Sequence, residues 1–181
     1  MRIKKLNAWL ALITAALLLI HETYQLFAFI LFYYNPVMTK ILGYSLAFAF
    51  ALHGILSAYC IFALHDSKTI AYKKMNIRTV LQRISGMAML LLLPIHIGAF
   101  MLLQRNAGTF IFYLLLASQA LFYAAINCHV AVSFSSAFIT LGYLEDMDKK
   151  GRIDRTAWII SALLFITTSV VVISGYTKMF G

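Results

Sequence analysis

The sequence contains little charge and almost no cysteine. Charged residues make up 12% of its 181 positions, whereas hydrophobic residues make up 62%. This composition excludes a water-soluble globular chain and leaves almost no length for a soluble catalytic domain. The two cysteines, Cys60 and Cys128, both stand within apolar runs, which excludes a disulfide framework, a zinc-type cysteine cluster and a Cys-x-x-Cys-His haem attachment. We therefore expect the lipid bilayer to be the solvent of this protein.

Long apolar runs are abundant. A membrane-spanning helix needs about 20 apolar residues, and five stretches bounded by charges or turn residues meet that length. They predict helices over about 8–34, 40–65, 78–104, 109–144 and 156–178. The connections are short, which favours antiparallel neighbours. The expected fold is an all-α, integral membrane five-helix bundle that forms a single domain over residues 1–181.

The basic residues predict how the helices are oriented. Twelve of the fifteen lysines and arginines lie before the first helix, between the second and third, or between the fourth and fifth; Lys40, Arg105 and Lys178 lie on the other side. The positive-inside rule then places the N-terminus in the cytoplasm and the C-terminus outside. The net charge of +9 is thus a topology signal and does not indicate nucleic acid binding. We expect a multi-pass protein of the inner, cytoplasmic membrane, whose first helix is retained after its basic start.

Four histidines lie deep in apolar sequence. His21, His53, His96 and His129 stand one per helix in four successive predicted spans, whereas His65 adjoins Asp66 near a helix end and is expected at the interface. Ionisable residues within a membrane are expensive and usually functional. A lone buried histidine is most often a hydrogen-bonded core residue, but four on facing helices favour two pairs of axial ligands for two b-type haems. No His-x-x-x-His or cysteine-rich spacing supports zinc.

Depth separates two of these histidines. Each residue of helix rises about 1.5 Å. His96 stands eight residues before Gln104 and so lies toward the outside, whereas His129 stands twenty residues beyond Thr109 and lies toward the cytoplasm. These two cannot ligate the same haem. His21 and His53 lie closer to the middle, and their depths leave the pairing open.

Several motifs resemble the cytochrome b subunit of di-haem succinate dehydrogenases and fumarate reductases. The segment 81–86, Leu-Gln-Arg-Ile-Ser-Gly, is followed thirteen residues after its arginine by His96, as in helix three of that family. His129 with Gly142, and His53 with Ser57, resemble two further helices. The likeness covers nearly the whole chain. It departs from the family at Ser57 and Ser133, where glycine is usual, and at Pro94, which predicts a kink in the third helix.

The resemblance implies the ligand pairs and the function. His21 and His96 are expected to hold a distal, outer haem, and His53 and His129 a proximal, inner haem. The chain is then a subunit that does not itself transform dicarboxylates. It passes electrons between membrane quinone, which the resemblance favours as menaquinone, and flavoprotein and iron–sulfur subunits on the cytoplasmic side. We also consider a dimer of the whole complex.

Two other functions compete with this reading. The chain could be the di-haem anchor of another respiratory dehydrogenase or reductase, because many such modules share four-histidine bundles. It could also be a transporter or assembly protein without haem, whose histidines relay protons or bind a metal ion.

A quinone site requires groups that exchange protons and form hydrogen bonds. Glu22, the one acidic residue deep within a predicted span, adjoins His21 and is a candidate for quinol binding or proton transfer. The alternative is a protonated structural glutamate. Arg83, with the weaker candidates Gln82 and Ser85, is predicted to bind a haem propionate or a quinone carbonyl; otherwise Arg83 extends to the cytoplasmic interface.

Overall fold

The fold of the chain is all-helical. A computed structural model describes residues 2–31, 33, 35–63 and 73–181. Within these residues the regular structure consists of six helices: α1 (Arg2–Leu31), α2 (Pro36–Phe62), α3 (Lys73–Ile97), α4 (Ala99–Arg105), α5 (Phe110–Leu141) and α6 (Met147–Phe180). His65 and Asp66 lie outside the described residues. All of the helices except α4 are long and apolar enough to cross a membrane, which makes the chain a multi-pass membrane protein.

The predicted third span is divided in two. α3 ends at Ile97 and α4 begins at Ala99, with Gly98 between them. Pro94 has no amide hydrogen to donate, yet it lies inside α3. The Gly98 amide still donates to the Pro94 carbonyl at 3.1 Å, so the helix ends one turn beyond the proline and not at it. Five helices long and apolar enough to cross a membrane are found, as predicted, and the short α4 is a sixth helix in the described residues.

Helices α1, α2 and α6 start before the predicted positions, and polar side chains cap two of them. The Asn35 side chain accepts hydrogen bonds from the amides of Val37 and Met38, and Pro36 occupies the first helical position, so α2 begins before residue 40. Asp146 caps α6 in the same manner, and this helix starts well before residue 156. α1 likewise starts at Arg2 and not near residue 8. The polar first turns of α1 and α6 lie outside the apolar runs from which the helices were predicted.

Helix α5 ends earlier than predicted. Its last residue is Leu141, and Gly142 follows with φ of 86°, a left-handed conformation that favours glycine. The amide of Tyr143 donates to the Phe138 carbonyl at 2.9 Å and closes the last turn. The apolar run to residue 144 therefore overstates the helix by one turn.

Helix α5 is the centre of the bundle. It packs against α1, α3, α4 and α6, whereas the backbone of α2 lies close to that of α1 alone among the described helices. Asn7 near the start of α1 bonds to Ser57 near the end of α2, so these two helices are antiparallel. The same relation holds for α3 and α5, because Arg78 near the start of α3 bonds to Ser135 near the end of α5. Helix α2 is thus held at the edge of the bundle.

One polar cluster joins three helices. Arg78 on α3 forms a two-pronged ion pair with Asp154 on α6, at 2.7 and 2.9 Å. Its guanidinium also donates to the Val132 carbonyl at 2.7 Å and to the Ser135 hydroxyl at 2.8 Å on α5. Lys150 adds a second ion pair to Asp154. A partly buried guanidinium is stabilised by such complete pairing, and the cluster fixes α3 relative to α5.

Candidate functional site

His53 and His129 face one another between α2 and α5. Their ring centres lie 6.5 Å apart with the ring planes at 72°. Both rings line a cavity of about 230 Å³ between α1, α2, α3 and α5. We call this arrangement the His53–His129 site. Since α2 has no backbone contact with α5, the two imidazoles occupy a gap between the helices.

The cavity wall is mostly apolar and made of small residues. Lys4 and Asn7 from the start of α1, with Thr140 from the end of α5, place polar groups at one end of it. Two buried polar atoms at the wall, Nδ1 of His53 and Oγ of Ser133, have no hydrogen-bond partner among the described residues. Buried polar atoms are nearly always bonded, so these two indicate a site for a ligand.

The segment 81–86 of α3 holds the ring of His129. Nδ1 of His129 lies 3.0 Å from the backbone carbonyl oxygen of Gln82 and 3.2 Å from the Ser85 hydroxyl. At Gly86, an added Cβ would lie 3.3 Å from Cε1 of the same ring. Because a carbonyl only accepts hydrogen bonds, Nδ1 carries the ring proton and Nε2 keeps its lone pair. Nε2 of His129 is therefore available to bind a metal ion.

His53 has its own neighbours on α1. The Asn7 backbone lies beside the His53 ring, and the Asn7 side chain exchanges hydrogen bonds with Ser57, one turn after His53, at 3.1 and 3.3 Å. The Asn7–Ser57 pair fixes α2 against α1 at the level of His53. Ser57 thus forms hydrogen bonds within the chain, with Asn7. A glycine at this position would have no side chain to form them.

His21 and His96 form a second site. The two imidazoles lie close enough to interact electrostatically, and an added Cβ at Gly43 of α2 would lie 4.0 Å from Cε1 of His21. Nδ1 of His96 lies 2.9 Å from Oε1 of Gln119 on α5. Phe122 stacks on the His96 ring with centres 4.4 Å apart. We call this arrangement the His21–His96 site.

The two sites lie at different levels of the bundle. Gln119, which contacts His96, precedes His129 by ten residues of the same helix. At 1.5 Å per residue, this separation corresponds to about 15 Å along α5. The structure therefore brings His53 and His129 together at one level and places His21 near His96 at another. That these histidines ligate two haems stays a prediction.

Glu22 points into the core of the bundle. It is 7% exposed, and neither of its carboxylate oxygens has a hydrogen-bond partner among the described residues. Its electrostatic neighbour is Tyr123 on α5, which in turn interacts with Tyr176 on α6. Tyr123 also packs edge-on against His96, with ring centres 5.9 Å apart. One residue, Tyr123, thus connects the Glu22 carboxyl group with His96.

The three candidates on α3 occupy different positions. Ser85 and the Gln82 carbonyl contact His129, and the Gln82 side chain lines the cavity. Arg83 is exposed, does not line this cavity, and has no hydrogen bond or ion pair with the described residues. A contact between Arg83 and a propionate or quinone carbonyl therefore stays a prediction.

Sequence reasoning missed Gln119 and Arg78. Gln119 is 1% exposed in the middle of the bundle, and an amide within an apolar span is a signal comparable to a histidine. Arg78 stood among the cytoplasmic charges, and its pairing with Asp154 joins residues far apart in the sequence. In the described ranges, no three or more histidines, cysteines or carboxylates cluster as a metal site would require.

Comparison with known proteins found no relative. No family model matches the sequence, and neither a curated protein nor a solved structure is similar to the chain.

Proposed function

We propose that this chain is the di-haem cytochrome b membrane anchor of a succinate dehydrogenase or fumarate reductase complex. The observation that supports the proposal is the facing pair His53 and His129, with His21 and His96 near one another at a second level of the same bundle. Paired imidazoles on facing helices are a common means of holding a six-coordinate haem. His53 and His129 would hold one haem b, and His21 and His96 the other.

The ring spacing fits two ligands of one metal ion. His53 and His129 would hold a metal ion if each contributed one ring nitrogen at about 2 Å, which allows ring centres about 6 Å apart. The His53 and His129 rings lie at 6.5 Å. The cavity of about 230 Å³ is smaller than the roughly 300 Å³ at which small-molecule pockets begin. Haem binding would therefore require the side chains that line the cavity to rearrange.

The chain's own residues orient these ligands. The Gln82 carbonyl and the Ser85 hydroxyl hold Nδ1 of His129, and Gln119 holds Nδ1 of His96. Outer partners of this kind fix the tautomer of a ligating histidine and raise its basicity. When bound, haem supplies the one-electron chemistry that connects quinone to the soluble subunits.

Glu22 is proposed to exchange protons with quinol. Quinol oxidation releases two protons together with two electrons, and the unbonded carboxyl oxygens of Glu22 can accept or hold a proton. The resemblance favours menaquinone. Orientation by the positive-inside rule places the soluble flavoprotein and iron–sulfur subunits at the cytoplasmic face of the inner membrane, where the complex as a whole could dimerise.

Affinity purification of the tagged chain from its native membrane tests the proposed assembly. We expect a flavoprotein and an iron–sulfur protein to co-purify, with succinate:quinone or quinol:fumarate activity. Partners with another substrate would indicate the anchor of a different dehydrogenase or reductase. A chain that purifies without b-type haem bands would be better explained as a histidine-containing transporter or assembly protein.

A further inference from the structure

The two sites hold their ligating imidazoles by different kinds of group. Nδ1 of His129 faces a backbone carbonyl, that of Gln82, at 3.0 Å, and no side-chain substitution removes that oxygen. Nδ1 of His96 faces the side-chain oxygen of Gln119 at 2.9 Å. The tautomer of His96 therefore depends on one replaceable side chain, whereas that of His129 depends mainly on the main chain.

The surroundings of Gln119 leave it little freedom. The side chain is 1% exposed, and its Nε2 lies 3.5 Å from the Ser118 hydroxyl, which leaves Oε1 toward His96. Phe122 stacks on the His96 ring at 4.4 Å and limits its rotation. An amide oxygen in this position accepts the Nδ1 proton and leaves the Nε2 lone pair of His96 free for a metal.

We propose that Gln119 is a positioning residue that fixes the tautomer of His96 and thereby sets the redox potential of the His21–His96 site independently of the His53–His129 site. The inference rests on the proposed haem function. A stronger acceptor at Nδ1 gives the imidazole more imidazolate character, which favours oxidised iron. A missing acceptor leaves a buried N–H unbonded and permits the wrong tautomer.

The test compares potentiometric titrations of the b-type absorption bands in the purified complex. Gln119→Glu keeps the shape of the side chain and provides a stronger acceptor, so we expect a lower potential for the component that His96→Ala removes. Gln119→Leu removes the acceptor. We expect a higher potential and a loss of haem affinity at that site of about 10- to 100-fold. Gln104→Leu, at an exposed position on α4, is the matched control and should shift neither component.

The outcomes separate this inference from the proposed function. If the wild type binds two haems and both Gln119 variants keep the wild-type potentials, the inference is wrong and the proposed function stands. Equal shifts of both components would also overturn it, because they would indicate a general change in packing. Should Gln119→Glu fail to assemble, Gln119→Leu and low-spin electron paramagnetic resonance of its two haem signals decide the question. A wild type without haem overturns both proposals.

Discussion

His53 on α2 faces His129 on α5 at a ring-centre distance of 6.5 Å, although the two helices share no backbone contact. A gap between helices costs van der Waals contacts, and here it is lined by two imidazoles, one of which has an unbonded Nδ1. A bound cofactor would fill the gap.

Gly86→Val should impair the His53–His129 site alone. Even a Cβ at residue 86 would lie 3.3 Å from Cε1 and 3.4 Å from Nδ1 of His129. The larger side chain of valine would therefore displace the His129 ring. We expect the haem component assigned to this site to be lost or shifted in the absorption spectrum, with the other component unchanged. Gly151→Val, on α6 with open space around it, is the control. Normal spectra of Gly86→Val would contradict the role given to α3.

The pairing of helices by polar residues was predictable only in part. The four histidines stand out because each is a polar residue in an apolar run, and the runs themselves predict the spans. The hydrogen bond that holds the His129 ring could not be predicted, because a backbone carbonyl such as that of Gln82 has no signature in the sequence. The predicted third span also ends differently, because Gly98 separates α3 from α4, while the kink expected at Pro94 stays a prediction.

Contacts between side chains on different helices are equally difficult to predict from the sequence. Nothing in the sequence pairs Arg78 with Asp154, since the pairing depends on the packing of α3 and α6 against α5. Counting basic residues for orientation placed Arg78 among the cytoplasmic charges, whereas in the structure it forms an ion pair with Asp154 at 2.7 Å. Gln119 could have been found, because a buried amide in a span is as unusual as a histidine.

Arg78→Met should destabilise the bundle. It removes the ion pair to Asp154 and the bonds to Val132 and Ser135. The partly buried carboxylate of Asp154 then keeps Lys150 as its ion-pair partner. We expect a loss of about 2–3 kcal/mol in the free energy of unfolding, measured by thermal or denaturant unfolding in detergent. Lys149→Gln breaks only the exposed pair with Asp146 and should change stability by less than about 1 kcal/mol. Equal effects of the two variants would contradict this account of the cluster.

Glu22→Gln should slow quinol-dependent turnover and leave both haem spectra intact. Glutamine keeps the size and polarity of the side chain but cannot exchange a proton as a carboxyl group does. The reduction in rate should be seen with quinol and not when a soluble electron donor reduces the flavoprotein directly. Gln25→Glu, three residues further along α1, is added to the Glu22→Gln variant. This second change tests whether a nearby carboxyl group can replace that of Glu22. Unchanged quinol turnover in Glu22→Gln would end the role proposed for this residue.

The haem content of the purified complex tests the central claim most directly. We predict two haem b per chain in the wild type, one after His129→Ala or His96→Ala, and none when both substitutions are combined. His65→Ala, which alters the one histidine not assigned as a haem ligand, should keep two. A wild-type protein without haem, or single histidine variants that retain both haems, would contradict the account.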